Sequence, residues 1–442
     1  MQKIYIVGIF FLMVICACKS DVEKSDYSNG KIIGKWNEVL TNTIIQDLFS
    51  PPVASRIYAY PNIAAYEVLK YAGSESKSIT SRLSGFDSIP PPSEDINLTV
   101  AALHAFTVVG LKLIYTEKPL NTYYKSFIDS IQKGGVSAQI IERSENYGKI
   151  VADKILLRAA SDMFKQTRSM ERYTLKEIPG AWAPTPPDYM QGVEPNWNLI
   201  KPFLLDSCSE FCPDSILPYS SENNSVFVAA AREVLEAKAG LDSDKVIIIK
   251  FWDDNPNVSK HFGHATIFEQ KMTPGGHWMA IANNVVQHKE VSQTDAAYTF
   301  ALTSIALFDA FIACWDAKYN FSTIRPVTFI QKHLDNEWLP YLQTPPFPEF
   351  PSGHSTISAS AATVLTGMYG AYAFTDSSEV PYGLPVRSFD SFYEASDEAA
   401  LSRLYGGIHF TWGNEAGKIV GRKVGHKVLD DLLAVHKIKA DK

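Results

Sequence analysis

Residues Thr294–Ala317 read TDAAYTFALTSIALFDAFIACWDA. Apolar residues recur in this segment at three- and four-residue spacing and alanine is common, a pattern that indicates a buried helix. Similar patterns occur along most of the chain, at Trp36–Tyr71, Leu98–Tyr115, Asn121–Ile131, Ser137–Phe164, Val226–Ala239, His354–Met368, Asp397–Tyr405 and Asn414–Val435. Because alternating, strand-like stretches are few and short, the sequence predicts an all-α fold.

A long irregular region divides the helical patterns into two groups. Between Lys165 and Ser221, proline, tryptophan and tyrosine are frequent and periodicity is weak. A connector of this length is usually functional or joins two domains. The sequence therefore predicts two packed helical bundles, residues 31–164 and residues 222–442, joined by the irregular Pro-rich connector 165–221.

The composition is that of a globular protein and excludes some partners. Of the 442 residues, 46% are hydrophobic and 20% are charged, which is enough for one large core or two modest ones. The net charge is −7 and no long run of Lys or Arg is present, so nucleic acid is not an expected partner. Any anion must therefore be held by a few placed cations.

The N-terminus has the features of an export signal. Lys3 precedes the apolar run Ile4–Ala17, which has the length of a signal-peptide core and is short for a membrane span. The run leads into VICAC, which resembles a bacterial lipobox; an ordinary secretory signal is the alternative. We expect a signal peptide at 1–17, lipidation of Cys18, a tether at 18–30 and a location facing the periplasm or cell surface. No later segment is expected to be apolar over enough residues to span a membrane, so the lipid anchor is the only membrane contact predicted.

Three cysteines follow the signal segment. Cys208 and Cys212 lie in the turn-rich segment DSCSEFCP, so a local disulfide is expected in an oxidising compartment. A metal site is the weaker alternative, because no second Cys/His pair lies nearby in sequence. Cys314 has apolar neighbours and is expected to be a buried thiol.

Three motifs in the second half describe a pocket for a tetrahedral oxyanion. They are Lys318-x6-Arg325-Pro326, Pro351-Ser352-Gly353-His354 and Ser402-Arg403-x5-His409. The lysine and two arginines can neutralise up to three negative charges, and arginine offers forked donors to pairs of oxygens. The serine hydroxyl and glycine N–H add donors at a helix start, and two histidines remain for coordination and proton transfer. Taken singly, each residue could be a surface charge, a core histidine or part of a turn. The combination of all three motifs favours an oxyanion-binding site.

The order of these motifs resembles the active site of the PAP2 superfamily, which joins type 2 phosphatidic acid phosphatases and bacterial acid phosphatases with vanadium-dependent haloperoxidases. The resemblance implies that His409 is the axial ligand of vanadate in a peroxidase, or the phosphorylated nucleophile in a phosphatase. It implies that His354 is the acid–base group. The residues implied to hold the equatorial oxygens are Lys318, Arg325, Ser352, Gly353 and Arg403.

Several features favour the haloperoxidase branch. The chain is much longer than a minimal phosphatase needs, with a helical half before the motifs. Trp315 looks like an aromatic residue found near the vanadate pocket in that branch, and Phe347 occupies a position that some bromoperoxidase-type members fill with His. The segments FWDDNP (251–256) and GGHW (275–278) resemble parts of the same proteins, where they either roof the pocket or only pack loops together.

One position departs from the family pattern. Many members carry an Asp four residues after the last histidine to orient its ring, whereas this chain has Gly413. His409 would then be held by a backbone carbonyl, by Asn414 or by Glu415. The departure places the phosphatase in more doubt, because a nucleophile depends more on that activation.

The resemblance implies vanadate as cofactor and small-molecule substrates, namely hydrogen peroxide and a halide. Iodide or bromide is favoured, and iodide first because it is the easier to oxidise. A secreted acid phosphatase acting through a phosphohistidine, without vanadate, is the main alternative. A non-catalytic oxyanion-binding protein is the third.

Overall fold

The computed structural model describes residues 29–73 and 76–438. The predicted signal peptide, Cys18 and the start of the tether lie outside the described residues, so they stay predictions. The helices of the described part are α1 (Lys31–Gln46), α2 (Pro51–Leu69), α3 (Leu98–Leu111), α4 (Lys118–Lys133), α5 (Ala138–Ala160), α6 (Phe164–Thr167), α7 (Val226–Ala239), α8 (Ser243–Phe251), α9 (Pro274–His288), α10 (Gln293–Phe321), α11 (Pro326–His333), α12 (Gly353–Tyr369), α13 (Phe392–Tyr405) and α14 (Thr411–Leu432).

Strands in the described part form two short antiparallel hairpins. Strand β1 (Ser259–Phe262) pairs with β2 (Ala265–Phe268), and β3 (Phe374–Asp376) pairs with β4 (Arg387–Phe389). Neither hairpin extends into a larger sheet. The prediction of an all-α fold is confirmed.

Helix α10 forms the centre of the molecule. Every residue from Gln293 to Tyr319 is buried, and the helix packs against α2, α9, α12 and α14. It has the length and apolar composition of a membrane-spanning helix, so the expectation that no segment after the signal has these features is wrong. Its burial on all sides by other helices accounts for the composition.

One hydrophobic core runs through both groups of helices. It extends from Ile32 in α1 to Val435 near the C-terminus, with α2 packed against both α3 and α10. The connector lies on this core: Asp309 of α10 accepts the backbone N–H groups of Phe203 and Leu204, each at 2.8 Å. The assignment of domain boundaries stays a prediction.

Two local predictions need correction. The pattern Trp36–Tyr71 forms two helices, because Leu48 takes a left-handed conformation with φ of 54° and Pro51 starts a new helix. Cys208 and Cys212 are free thiols, so the disulfide prediction is wrong for this structure. The Cys208 thiol instead donates to Asp316 Oδ1 of α10 at 3.4 Å. Cys314 is buried, as predicted.

Candidate active site

The residues predicted to hold the oxyanion come from the ends of five helices. Helix ends leave backbone groups unpaired and bring charged side chains to one point without interrupting the packed interior. The predicted residues are Lys318 in the last turn of α10, Arg325 directly before α11, Ser352 directly before α12, Gly353 and His354 in its first turn, Arg403 in the last turn of α13 and His409 two residues before α14.

The start of α12 is fixed by its own cap. Ser352 Oγ accepts the backbone N–H of Ser355, and Ser352 donates its own N–H to the Gly413 carbonyl at 2.9 Å. Gly353 then lies against the Trp315 ring: a methyl group at its Cα would be 3.5 Å from that ring and 3.9 Å from Lys318 Cε. The helix start therefore lies beside both the tryptophan and the lysine, at ordinary van der Waals distance.

The three cations of the site are fully buried. Lys318 Nζ donates to the carbonyls of Pro348 at 2.8 Å and Glu349 at 3.0 Å. Arg325 Nε donates to the Phe347 carbonyl at 2.8 Å. Carbonyls of the loop that precedes α12 therefore hold two of the three cations in place.

Burial destabilises the charged form of all three groups. Burial lowers the pKa of Lys318 to about 7 and that of Arg325 to about 10, with their mutual repulsion adding to the effect at the lysine. Burial also lowers the pKa of Arg403. A buried cation is stable only when it is paired, so the site is suited to an anion.

His409 is buried between a cation and a carboxylate. Its Nδ1 lies 2.8 Å from Glu349 Oε1, and its Nε2 lies 3.0 Å from Arg325 Nη1. Burial lowers the pKa of His409 well below its ordinary value, and Arg325 and Lys318 lower it further, so the ring is neutral. Arg325 can only donate, so Nε2 must carry the lone pair and Nδ1 the proton. Nε2 is the atom that an axial ligand needs.

His354 is also neutral. Burial lowers its pKa well below the ordinary value, and the charge of Arg403 adds to the effect. Its Nε2 lies 3.9 Å from Asp254 Oδ2, too far for a hydrogen bond. A neutral imidazole with an unengaged nitrogen can accept a proton.

Aromatic side chains close the cavity. Trp315 and Phe347 pack with ring centroids 5.0 Å apart, and the Phe347 ring lies 5.1 Å from Lys318 Nζ and 5.0 Å from Arg325 Cζ. These cation–π contacts shield the charges from water. The lining residues are Pro51, Asp254, Asn255, Pro274, Phe311, Trp315, Pro345, Phe347, Gly353, His354, Ile408 and His409.

The two upstream segments meet behind His354. Asp254 of FWDDNP lines the cavity, and His277 of GGHW, in the first turn of α9, places Nδ1 3.1 Å from Asp254 Oδ1. The Trp252 carbonyl accepts a hydrogen bond from Arg403. FWDDNP therefore forms part of the cavity wall, and GGHW supports it.

The motifs in the sequence did not identify Glu349, although it stands two residues before Pro351-Ser352-Gly353-His354, in the loop that precedes α12. The partners proposed for His409 are wrong: Asn414 accepts a hydrogen bond from Ser355 Oγ at 3.3 Å, and Glu415 forms a surface ion pair with Lys418 at 2.6 Å. The available signal was a single carboxylate in an otherwise apolar loop next to the Ser-Gly-His motif.

The residues present fit vanadate. Two buried nitrogens of the site, Arg403 Nη1 and His354 Nε2, have no hydrogen-bond partner among the described residues. Unpaired buried polar atoms are costly and mark a place for a ligand. Three cations, a helix start and a histidine lone pair are the donor set that a tetrahedral oxyanion of a metal needs.

Comparisons with known proteins show which family the chain resembles. A family model, the VCPO second helical-bundle domain, matches residues 298–437. The vanadium chloroperoxidase of Curvularia inaequalis is 26% identical in a match that covers 30% of this chain and only 30% of that protein.

Two solved structures cover nearly the whole chain. A holo-type bacterial vanadium-dependent chloroperoxidase has a TM-score of 0.69 at 17% identity over 93% of this chain and 99% of its own, which shows the fold alone. A bacterial vanadium-dependent iodoperoxidase has a TM-score of 0.87 at 40% identity over 94% of this chain and 98% of its own. At that identity and coverage, the chain belongs to the vanadium-dependent haloperoxidases.

Proposed function

We propose that this protein uses vanadate to oxidise iodide with hydrogen peroxide. One observation carries the proposal: the chain has every residue that the three motifs assign to the oxyanion site, and it is 40% identical to a bacterial vanadium-dependent iodoperoxidase over 98% of that protein. The net reaction is I⁻ + H₂O₂ + H⁺ → HOI + H₂O. Iodide is oxidised by two electrons and the peroxide O–O bond is broken.

The protein's first task is to hold the cofactor. His409 Nε2 would supply a lone pair to the metal, and the residues that would hold the oxygens are Lys318, Arg325, Ser352, Gly353 and Arg403. When bound, vanadate supplies a Lewis-acidic centre that activates peroxide toward the halide. The buried cations offset the negative charge of the oxyanion, and Glu349 keeps the His409 lone pair on Nε2.

The second task is to move a proton. The neutral His354 Nε2 is unengaged at the cavity and can accept the proton that peroxide loses when it is activated. The same nitrogen can return that proton to the leaving oxygen, which departs as water after it has also taken the solvent proton of the net reaction. Such proton transfer contributes about 10²–10⁴-fold in rate.

The proposal is tested with purified protein that is loaded with vanadate in phosphate-free buffer. Triiodide formation from iodide and hydrogen peroxide is followed, with bromide in parallel. We expect vanadate-dependent iodide oxidation, and the same rate for His288→Ala, which removes an exposed histidine at the end of α9. No halide oxidation by the loaded protein would contradict the proposal.

A phosphatase is the second candidate, and one observation favours it. The Glu349–His409 pair is the carboxylate–imidazole arrangement that a nucleophilic histidine needs, so Gly413 does not count against a phosphatase. Phosphate has the same shape and charge type as vanadate. Hydrolysis of phosphomonoesters by vanadate-free protein, with phosphohistidine trapped at His409 and no halide oxidation, would replace the peroxidase with this function.

A further inference from the structure

Glu349 reaches His409 from a loop that is fixed in place. Its carboxylate is fully buried, with Oε1 accepting from His409 Nδ1 at 2.8 Å and from the Phe410 N–H at 3.3 Å. Its backbone N–H donates to the Thr323 carbonyl at 3.1 Å, and its carbonyl accepts from Lys318. Glu349 is thus held both by its backbone and by its side-chain oxygen Oε1.

Gly413 leaves the space that this carboxylate occupies. A Cβ built on Gly413 would lie 2.1 Å from Glu349 Oε1, 2.8 Å from Cδ and 2.9 Å from Oε2, and these are its three nearest atoms. The residue lies in the first turn of α14, where the backbone conformation suits any amino acid. Contact with the glutamate, and not the backbone conformation, therefore requires a glycine at this position.

We propose that Glu349 is the positioning residue of His409, and that positions 349 and 413 are alternative attachment points for one carboxylate. In this chain the carboxylate comes from the loop, and an aspartate at 413 would supply it from α14 if residue 349 were small. The inference rests on the proposed vanadate site.

Distances support the exchange. A carboxylate oxygen of aspartate lies ~2.4 Å from its own Cβ. Glu349 Oε1 lies 2.1 Å from the Cβ position of residue 413. An aspartate there would place an oxygen close to the point that Glu349 Oε1 now fills, and hence within reach of His409 Nδ1.

Fixing the ring matters for binding. With Nδ1–H held by a carboxylate, the Nε2 lone pair faces the cavity. Without that acceptor the ring can turn or take the other tautomer, which removes the lone pair from the cavity. Loss of such an orienting partner typically costs ~10–100-fold in metal affinity or activity.

The test measures vanadate affinity of the full chain by equilibrium dialysis, with thermal unfolding as a check of folding. We expect Glu349→Ala to weaken vanadate binding ~10–100-fold and Gly413→Asp alone to destabilise the protein through overlap with Glu349. The double variant E349A/G413D should recover most of the affinity. Glu415→Gln, a surface carboxylate near the same helix start, is the matched control and should bind as the wild type does.

Two results would overturn the proposal. One is a folded Glu349→Ala variant with wild-type affinity; the other is a folded E349A/G413D variant no better than Glu349→Ala. If Glu349→Ala does not fold, Glu349→Gln keeps the shape, and we expect weaker vanadate binding and a mixed His409 tautomer by ¹⁵N NMR; unchanged affinity and tautomer would refute the proposal. Affinity is measured without halide, so wild type that binds vanadate but does not oxidise iodide would refute only the proposed function.

Discussion

His409 and His277 are both buried and both contact carboxylates, yet they carry different charges. His409 has one carboxylate on Nδ1 and a guanidinium at Nε2. His277 has carboxylates on both sides, with Nδ1 3.1 Å from Asp254 Oδ1 and Nε2 3.0 Å from Asp376 Oδ2. Burial alone lowers the pKa of His277, but Asp254 and Asp376 outweigh it and raise that pKa well above its ordinary value.

The difference shows that the charged groups next to a buried histidine determine its protonation state, and hence what it can do. Two acceptors require two donors, so His277 is an imidazolium, and it cannot offer a lone pair. Its charge balances Asp254, which faces His354 at 3.9 Å. His409 lies among cations and is neutral, so its Nε2 keeps a lone pair, which accepts a hydrogen bond from Arg325 Nη1 and can instead bind a ligand. One histidine is suited to binding and the other to support of the cavity wall.

The largest expected effect is on His409. His409→Ala removes the axial lone pair and one buried ring, and iodide oxidation should fall to background together with vanadate binding. Its unfolding free energy should change less than that of a His277 variant, because His409 is neutral and Glu349 and Arg325 each lose a hydrogen bond but no counter-ion. Vanadate dialysis and denaturant unfolding check both expectations. Retained vanadate-dependent activity would show that His409 is not the ligand.

The next largest effect is expected at His354, whose role in proton transfer differs from the binding role of His409. His354→Ala should lower turnover by ~10²–10⁴-fold, because it removes proton transfer, and should leave much of the vanadate affinity. Steady-state kinetics and dialysis on the same preparation measure the two quantities. Equal losses of binding and turnover would assign His354 to binding instead.

His277 is expected to affect stability more than chemistry. His277→Gln leaves the carboxylates of Asp254 and Asp376 buried without their cation, which typically costs about 3–5 kcal/mol. Denaturant unfolding at neutral pH measures the loss. A change below about 1 kcal/mol, on the scale of a surface ion pair, would mean that His277 is not a buried imidazolium.

The smallest effect is the dependence of stability on pH. The folded-state pKa of His277 is raised above the unfolded value, so its contribution is complete below about pH 6.5 and is lost as the pH rises through the folded pKa. Glu379, which faces Asp254, Asp376 and His277, acts in the same direction, because burial first and then Asp254 raise its pKa from 4.5 to about 8. Each group contributes a slope of at most about 1.4 kcal/mol per pH unit.

Glu379→Gln removes the contribution of Glu379 to the pH dependence of the unfolding free energy and leaves that of His277. The variant keeps the neutral form that the fold prefers, so it should match the wild type near pH 4.5 and exceed its stability at pH 8 and above. Unfolding at a series of pH values measures the difference. A wild type whose stability rises from pH 6 to 8, with no gain from Glu379→Gln, would contradict the assigned charges.

The fold could be predicted because its signals are local. Period-3.6 patterns revealed the long helices, and the order of three motifs identified the residues that helix ends bring together. Breaks such as that before Pro51 were missed, since the apolar pattern continues across them. Helices α8, α9 and α11 are short or begin in Gly- and Pro-rich sequence, which masks their periodicity.

The contacts that tune the site are not local. Glu349 and His409 are 60 residues apart, and His277 and Asp376 are 99 residues apart, so no spacing in the sequence connects them. The sequence shows that Gly413 departs from the family pattern. Only the structure shows that Glu349 occupies the place that a side chain at position 413 would take. Such pairs require the packed structure.

The most direct test of the account is ¹⁵N NMR of histidine side chains before and after addition of vanadate. His409→Ala and His277→Gln assign the two signals. The account predicts that His277 is protonated on both nitrogens throughout, that His409 is protonated only on Nδ1, and that vanadate shifts the His409 Nε2 signal. A doubly protonated His409, or a bound vanadate that leaves its Nε2 signal unchanged, would contradict the account.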